Sequence, residues 1–263
     1  MYTYFGILEA LSGAGVDVSF ISFEDIRQHG VPEDLDVIIN AGDAGTAWSG
    51  GDEWLDETLV TAIRRWVYGG GGFVGVGEPC AVHHNGRFFQ LADVLGVDKE
   101  LGYTLSTDKY DTKQAQGHFI TEDMEVNPAD GHEGLPPIDF GESMKNVYAL
   151  GGDTEIVEYS DHEVHLSVHG YGKGRGVYIA GLPYSYMNTR ILLRSMYYAA
   201  ARERDMKKWY ADNIYCEVHA YPETGKYAVV NNSSRPQVSM VYDGQGNGTG
   251  VELKPCEIRW FSM

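Results

Sequence analysis

Apolar positions recur at helical spacing from the start of the chain, in Tyr4, Phe5, Ile7, Leu8 and Leu11, and the run closes on Gly13 and Gly15. This predicts an amphipathic helix with a glycine stop. Val16 to Phe23 alternates as a strand does, and Leu35 to Gly42 is a second, β-branched run. Over 56–67, Leu59, Ile63, Trp66 and Val67 share one helical face, with carboxylates at the start and arginines towards the end. Phe73 to Gly77 then reads as a buried strand, and a short helix is expected over 88–95. After a loose, Gly- and Asp-dotted stretch, 155–168 alternates like two antiparallel strands. Gly176 to Leu182 reads as another buried strand, and Met187 to Arg204 as a helix.

Beyond Trp209 the texture changes to short alternating segments, near 214–219, 226–231, 237–242, 250–253 and 257–261, separated by turn signals such as Pro222-Glu223-Thr224-Gly225. The expected organisation is an α/β domain over 1–208 with a parallel sheet, followed by a small antiparallel β domain over 209–263. The pattern opens on a helix where a strand is expected. A strand is therefore expected upstream, and with it a part of the protein that carries the chemistry; its loss leaves a gap in the sheet or forces the flanking strands to meet.

With 43% hydrophobic and 22% charged residues among 263, the chain has material for a sizeable core, and disorder is excluded as its general state. Its net charge of −18 argues against a nucleic-acid partner, since backbone affinity needs clustered Lys and Arg. Apolar runs are of strand length, so no membrane span is expected. Three cysteines, Cys80, Cys216 and Cys256, fit a reducing, cytoplasmic compartment; a Cys216–Cys256 bridge is the one conceivable pairing.

The sharpest motif is Gly70-Gly71-Gly72-Phe73-Val74-Gly75-Val76-Gly77-Glu78-Pro79-Cys80. Glycines, a buried strand and a sharp turn are the setting in which amidotransferase-like and hydrolase-like folds hold a nucleophile, but Gly77 stands where sulfur or oxygen would be. Cys80 with His83 and His84 lacks an orienting third group and the paired spacing of a metal site, so no catalytic residue and no metal ligand is assigned. Glu78, at a strand's C-terminal end, is a candidate contact to sugar or phosphate; the plainer alternative is a cap or a pair with Arg87 or Arg175. Asp43, Thr46 and Trp48 lie in a loop after the preceding strand and are candidates beside it, with Trp48 equally able to pack on a neighbour. Tyr171 to Gly176 lacks the arrangement of a phosphate-binding loop and reads as a hairpin turn with two cations, Lys173 and Arg175; Arg175 completes the candidate contacts. His162, His165 and His169 sit near strand spacing rather than in a metal triad and read as surface or hairpin residues.

Several strings carry a resemblance to a known family: Tyr4 to Leu11, Asp17 to Phe23, Asp36 to Asn40, Gly75 to Pro79, Gly86 to Asp98 and Tyr171 to Tyr178. Together they resemble the 1,3-β-galactosyl-N-acetylhexosamine phosphorylases, also called lacto-N-biose or galacto-N-biose phosphorylases. The resemblance implies a parent enzyme with a catalytic β/α barrel, a middle domain of glutamine-amidotransferase-like (flavodoxin-like) fold and a C-terminal β domain, of which this chain looks like the last two. It implies inverting phosphorolysis of a galactosyl-β-1,3-N-acetylhexosamine to α-galactose 1-phosphate, with a barrel carboxylic acid protonating the leaving oxygen. No cofactor is implied, and the partners are inorganic phosphate, the disaccharide and the barrel itself. Homo-oligomerisation is expected from exposed strand edges. The competing expectation is a self-standing carbohydrate-binding or assembly module without catalysis.

Overall fold

A computed structural model describes residues 2–83, 86–100, 115–124, 138–142, 145–161 and 163–263. The central five-stranded sheet is built from β1 (Val37–Gly42), β2 (Gly72–Gly77), β5 (Glu155–Ser160), β6 (Glu163–Tyr171) and β7 (Gly174–Ile179), in the order β1-β2-β7-β6-β5. β1, β2 and β7 are parallel, and β6 and β5 continue antiparallel. A two-stranded ladder of β3 (Val97–Lys99) and β4 (Val147–Ala149) lies apart from it.

Helices cover both faces. On one, α1 (Tyr2–Ser12) and α5 (Tyr186–Ala199) bury Ile7, Ala10, Ile191 and Leu192 with Val74, Val76, Val177 and Ile179 of the sheet. On the other, α2 (Phe23–His29), α3 (Glu57–Gly69) and α4 (Ala92–Leu95) bury Ile26, Leu59, Ile63 and Val94 around Phe73 and Tyr178. Every residue of β2 is buried, as a strand covered on both sides requires. The face of α3 follows from its spacing, and Asp56 caps it by accepting from the Thr58 N–H at 2.8 Å.

One sequence expectation is corrected. Val16 to Phe23 is not a strand, and the sheet begins at Val37. Val18 and Phe20 are 48% and 78% exposed, and Ser22 closes a capping box with Asp25 that starts α2 at Phe23. Alternation alone makes no strand where no partner backbone lies within reach. The helix expected over 88–95 is shorter, with only 92–95 helical, and α5 ends at Ala199.

From residue 209 the chain forms two small antiparallel sheets. β8 (Tyr210–Ala211), β11 (Gln237–Tyr242) and β12 (Gly248–Leu253) make one, and β9 (Cys216–Tyr221), β10 (Lys226–Asn231) and β13 (Ile258–Ser262) the other. Val218, Val229, Val241, Val251 and Leu253 form their shared core. All three cysteines are free, so Cys216 and Cys256 do not pair. No helix among the described residues is long and apolar enough to cross a membrane.

Candidate functional site at the strand ends

The C-terminal ends of β1 and β2 meet in paired register, Gly42 opposite Gly77, and both chains turn there with positive φ, 132° and 79°. A Cβ on Gly77 would stand 3.2 Å from the Gly42 carbonyl oxygen, a tight approach at a backbone angle that side chains rarely adopt, so glycine is favoured here. The Glu78 N–H donates to that same carbonyl at 2.9 Å. The residue at this strand-to-turn position is a glycine, with no thiol or hydroxyl to act as a nucleophile.

Glu78 is largely buried, and its carboxylate is engaged on both oxygens. Oε2 accepts from the Ala44 N–H at 2.7 Å and Oε1 from Lys99 Nζ at 3.1 Å, while the ammonium stands 4.7 Å from the Phe88 ring centroid. The ion partner is Lys99, not Arg87 or Arg175. Glu78 thus ties the loop after β1 to the turn after β2. A second tie comes from the buried Asn40, whose Nδ2 donates to the Ser49 carbonyl at 3.1 Å and whose Oδ1 accepts from the Cys80 N–H at 2.8 Å. Asp98 fixes the segment that carries Lys99, accepting from the Phe89 and Lys99 N–H groups at 2.9 and 2.8 Å.

The loop so held presents the other candidates. Its turn is closed by the Asp43 carbonyl, which accepts from Thr46 Oγ1 at 2.7 Å and Ser49 Oγ at 2.6 Å. The Asp43 side chain is exposed and Thr46 half-exposed. Trp48 packs on α1, 4.7 Å from Tyr4 and 5.5 Å from Phe5 between ring centroids, with 39% of its surface still exposed. Asp43, Thr46, Trp48 and Glu78 therefore share one edge of the sheet, the edge where open α/β sheets hold ligands.

Arg175 does not join them. It pairs in register with Gly72, at the opposite end of β2, roughly 20 Å away at ~3.3 Å per residue. Its guanidinium lies over the Tyr198 ring at 4.6 Å and donates to the Tyr198 carbonyl at 2.9 Å and to Glu203. Residues 171–174 form the β6–β7 hairpin turn. His165 stacks on Phe140 and bonds Ser160 at 2.9 Å, and His169 faces Asp153 at 3.3 Å; His84 and His162 lie outside the described residues.

Cys80 is fully buried at φ 50°, and burial drives its thiol far above the usual range, so the thiolate a nucleophile needs is disfavoured. Among the described residues no group of His, Cys, Asp and Glu is placed to hold a metal ion.

Sequence reasoning missed Lys99, Asn40 and Asp98. Asn40 had a readable signal, a lone amide inside the apolar run Val37 to Ala41. Lys99 had none, because it lies 21 positions beyond Glu78 across a stretch that follows no period.

The comparisons with known proteins follow this organisation. The sequence pattern of the lacto-N-biose phosphorylase central domain matches residues 1–204, and that of the C-terminal domain of the same enzymes matches 209–261. A 1,3-β-galactosyl-N-acetylhexosamine phosphorylase of Lachnoclostridium phytofermentans is 48% identical over all of this chain and 35% of its own length. The enzyme of that name from Bifidobacterium longum is 44% identical over 98% of this chain and 37% of its own. A D-galactosyl-β-1,4-L-rhamnose phosphorylase of L. phytofermentans is 34% identical over 92% of this chain. Among solved structures, a β-galactosidase from Rahnella superposes with a TM-score of 0.52 at 14% identity, over 97% of this chain and 36% of that one, a likeness of fold alone. The chain spans about a third of the length of the curated relatives it matches. Across its central and C-terminal domains, it belongs to the lacto-N-biose phosphorylase family.

Proposed function

We propose that this chain is the noncatalytic middle and C-terminal portion of an inverting phosphorylase, one that cleaves galactosyl-β-1,3-N-acetylhexosamine with phosphate to α-galactose 1-phosphate and the free amino sugar. The observation that carries the noncatalytic reading is Gly77. At the strand-to-turn position where an amidotransferase-like domain would set its nucleophile, this chain has a glycine, which offers neither thiol nor hydroxyl. The relatives' names support phosphorolysis of a galactosyl-β-1,3-N-acetylhexosamine, and the span of this chain, about a third of theirs, leaves room elsewhere for a barrel and its general acid.

The amidotransferase-like assignment belongs to this proposal. It is supported by parallel β1, β2 and β7, with α1 and α5 on one face and α2, α3 and α4 on the other. So does a cytoplasmic location, supported by three unpaired cysteines. Asp43, Thr46 and Trp48, on the loop that Glu78 fixes, are the residues proposed to approach substrate or phosphate from this domain. Arg175, engaged by Tyr198 and Glu203, is proposed to hold the opposite end of the sheet.

The test is direct. The chain by itself, given galactosyl-β-1,3-N-acetylglucosamine and phosphate, is expected to release no α-galactose 1-phosphate, even at high protein concentration. Release by these 263 residues overturns the proposal.

A further inference from the structure

In the C-terminal domain, the sheet of β9, β10 and β13 has an outer face whose side chains do not contribute to the core. Antiparallel register puts Tyr221, Lys226 and Ser262 in one row across the three strands and His219, Ala228 and Trp260 in the next, and residues two apart on a strand share a face. Tyr227, Val229 and Phe261 alternate with them and turn inward, with Tyr227 and Phe261 stacked at 5.0 Å between ring centroids. On the outer face the rings of Tyr221 and Trp260 meet across β10 at 5.4 Å between centroids, tilted by 40°. They stay 45% and 56% exposed, and Ile258, next to Trp260 on the same face, is 59% exposed. Gly13, just past α1, lies against the Glu217 carboxylate, so the central domain covers that corner of the face and leaves the aromatic pair open. Among the described residues the Tyr221 hydroxyl, the Lys226 ammonium and the Ser262 hydroxyl make no hydrogen bond to the protein, in a chain with an excess of carboxylates.

We propose that this face is a binding platform for a neutral sugar, on which the galactosyl unit of a glycan lies over Trp260 and Tyr221, apart from the candidate residues at the strand ends. A pyranose ring has a face made of C–H bonds, and in galactose the axial 4-hydroxyl leaves the face opposite to it apolar from C3 to C6. Those C–H groups carry slight positive charge and fit the negative face of an aromatic ring, and their removal from water adds a hydrophobic gain. The sugar hydroxyls project from the rim of the ring, towards the row of Tyr221, Lys226 and Ser262 with its free hydrogen-bonding groups. The extent of the surface favours this occupant over a macromolecule. Tyr221, Ile258 and Trp260, each about half exposed, offer roughly 300 Å² of apolar surface, well short of the ~800 Å² per partner of a standard protein interface. A second copy and a nucleic acid are both repelled by the net charge of −18, which a neutral sugar does not feel. The place of the site stands on the geometry of the sheet; the choice of galactose rests on the proposed substrate.

Saturation-transfer NMR on the whole chain with galactosyl-β-1,3-N-acetylglucosamine tests the proposal, because it reads millimolar affinities and identifies the sugar protons in contact. Saturation is expected to be strongest at the galactosyl H3, H4 and H5 protons. It is expected to fall about tenfold in Trp260→Ala, severalfold in Tyr221→Ala, and to persist in Trp260→Phe, which keeps an aromatic face. Tyr68→Ala, which removes an exposed tyrosine of α3 away from the platform, is expected to match wild type. The replaced side chains are exposed, so melting temperatures close to wild type accompany these results. No saturation in wild type, or undiminished saturation in Trp260→Ala, overturns the proposal. A dimer in sedimentation that Trp260→Ala dissociates also overturns it, because a second copy then occupies the face. Equal saturation of cellobiose overturns the choice of galactose. Failure of the phosphorylase reading has a separate signature, release of α-galactose 1-phosphate by the chain, which these measurements do not read.

Discussion

At the scale of single residues, the strand ends are held by groups with no spare capacity. Gly77→Ala forces a Cβ against the Gly42 carbonyl in the left-handed region, so a loss of about 1–3 kcal/mol is expected, read as a lower urea midpoint at unchanged slope. Glu78→Ala leaves the Ala44 N–H and the Lys99 ammonium without their acceptor, and about 1–3 kcal/mol is expected there as well. Glu78→Gln is the milder change, since an amide oxygen still accepts from Ala44. His118 provides a pH test. Burial, opposed by Glu155 and reinforced by Arg175 and Arg194, holds its pKa below the usual 6.5, and Nδ1 accepts the Ile120 N–H at 3.1 Å, a bond only the unprotonated nitrogen makes. The unfolded chain then binds the proton more readily than the folded one. The stabilising contribution is complete above pH 6.5 and is lost as pH falls through the folded pKa. Urea melts of wild type and His118→Phe between pH 8 and 5 should show a decline that is shallower in the variant; equal slopes would remove His118 as its source.

At the scale of elements, what could be read from the sequence was what local physics decides. The apolar face of α3, the glycine stop at Gly70, the all-buried β2 and the five strands after residue 214 follow from period, caps and turn residues. Val16 to Phe23 was not legible, because its alternation is that of a strand while its conformation depends on whether backbone lies beside it. The loop after β1 was legible as a loop. Its fixing to the turn after β2 by Asn40, Glu78 and Lys99 was not, since the contacts to Cys80, Ala44 and Lys99 join residues 21 to 40 positions apart. Caps can be tested at this scale. Asp56 caps α3 and also accepts Arg27 Nε at 2.7 Å, tying α2 to α3, so Asp56→Ala is expected to lower the midpoint of thermal or urea unfolding, and by more than removal of an exposed carboxylate that caps no helix.

At the scale of the whole molecule, the two domains are joined by buried charge. Arg190 and Arg194 project from α5 and share Asp123, at 2.9 and 3.0 Å; Arg190 also donates to the Ala211 carbonyl at 2.8 Å and to the Tyr210 hydroxyl. Both arginines are nearly inaccessible; Asp123→Asn takes the carboxylate from Arg190 and leaves Arg194 with Glu122, and a loss of about 3 kcal/mol is expected. Because the same guanidinium grips the start of the C-terminal module, calorimetry of Asp123→Asn should show the single transition broaden or split. A sharp single transition at the wild-type temperature would mean that the domains are coupled by other contacts.

The open flank of β1 has a consequence for how the protein behaves in solution. Its ladder, Val-Ile-Ile-Asn-Ala-Gly, lies behind residues 17–21 and α1 and would template association between molecules only when that cover moves, and each molecule carries a net charge of −18 that repels its neighbours before ladders can align. That repulsion acts over a Debye length of about 8 Å at physiological ionic strength and about 3 Å in 1 M salt. Colloidal stability is thus electrostatic, and light scattering should report particle growth as sodium chloride is raised towards molar concentrations, where most compact acidic proteins stay dispersed.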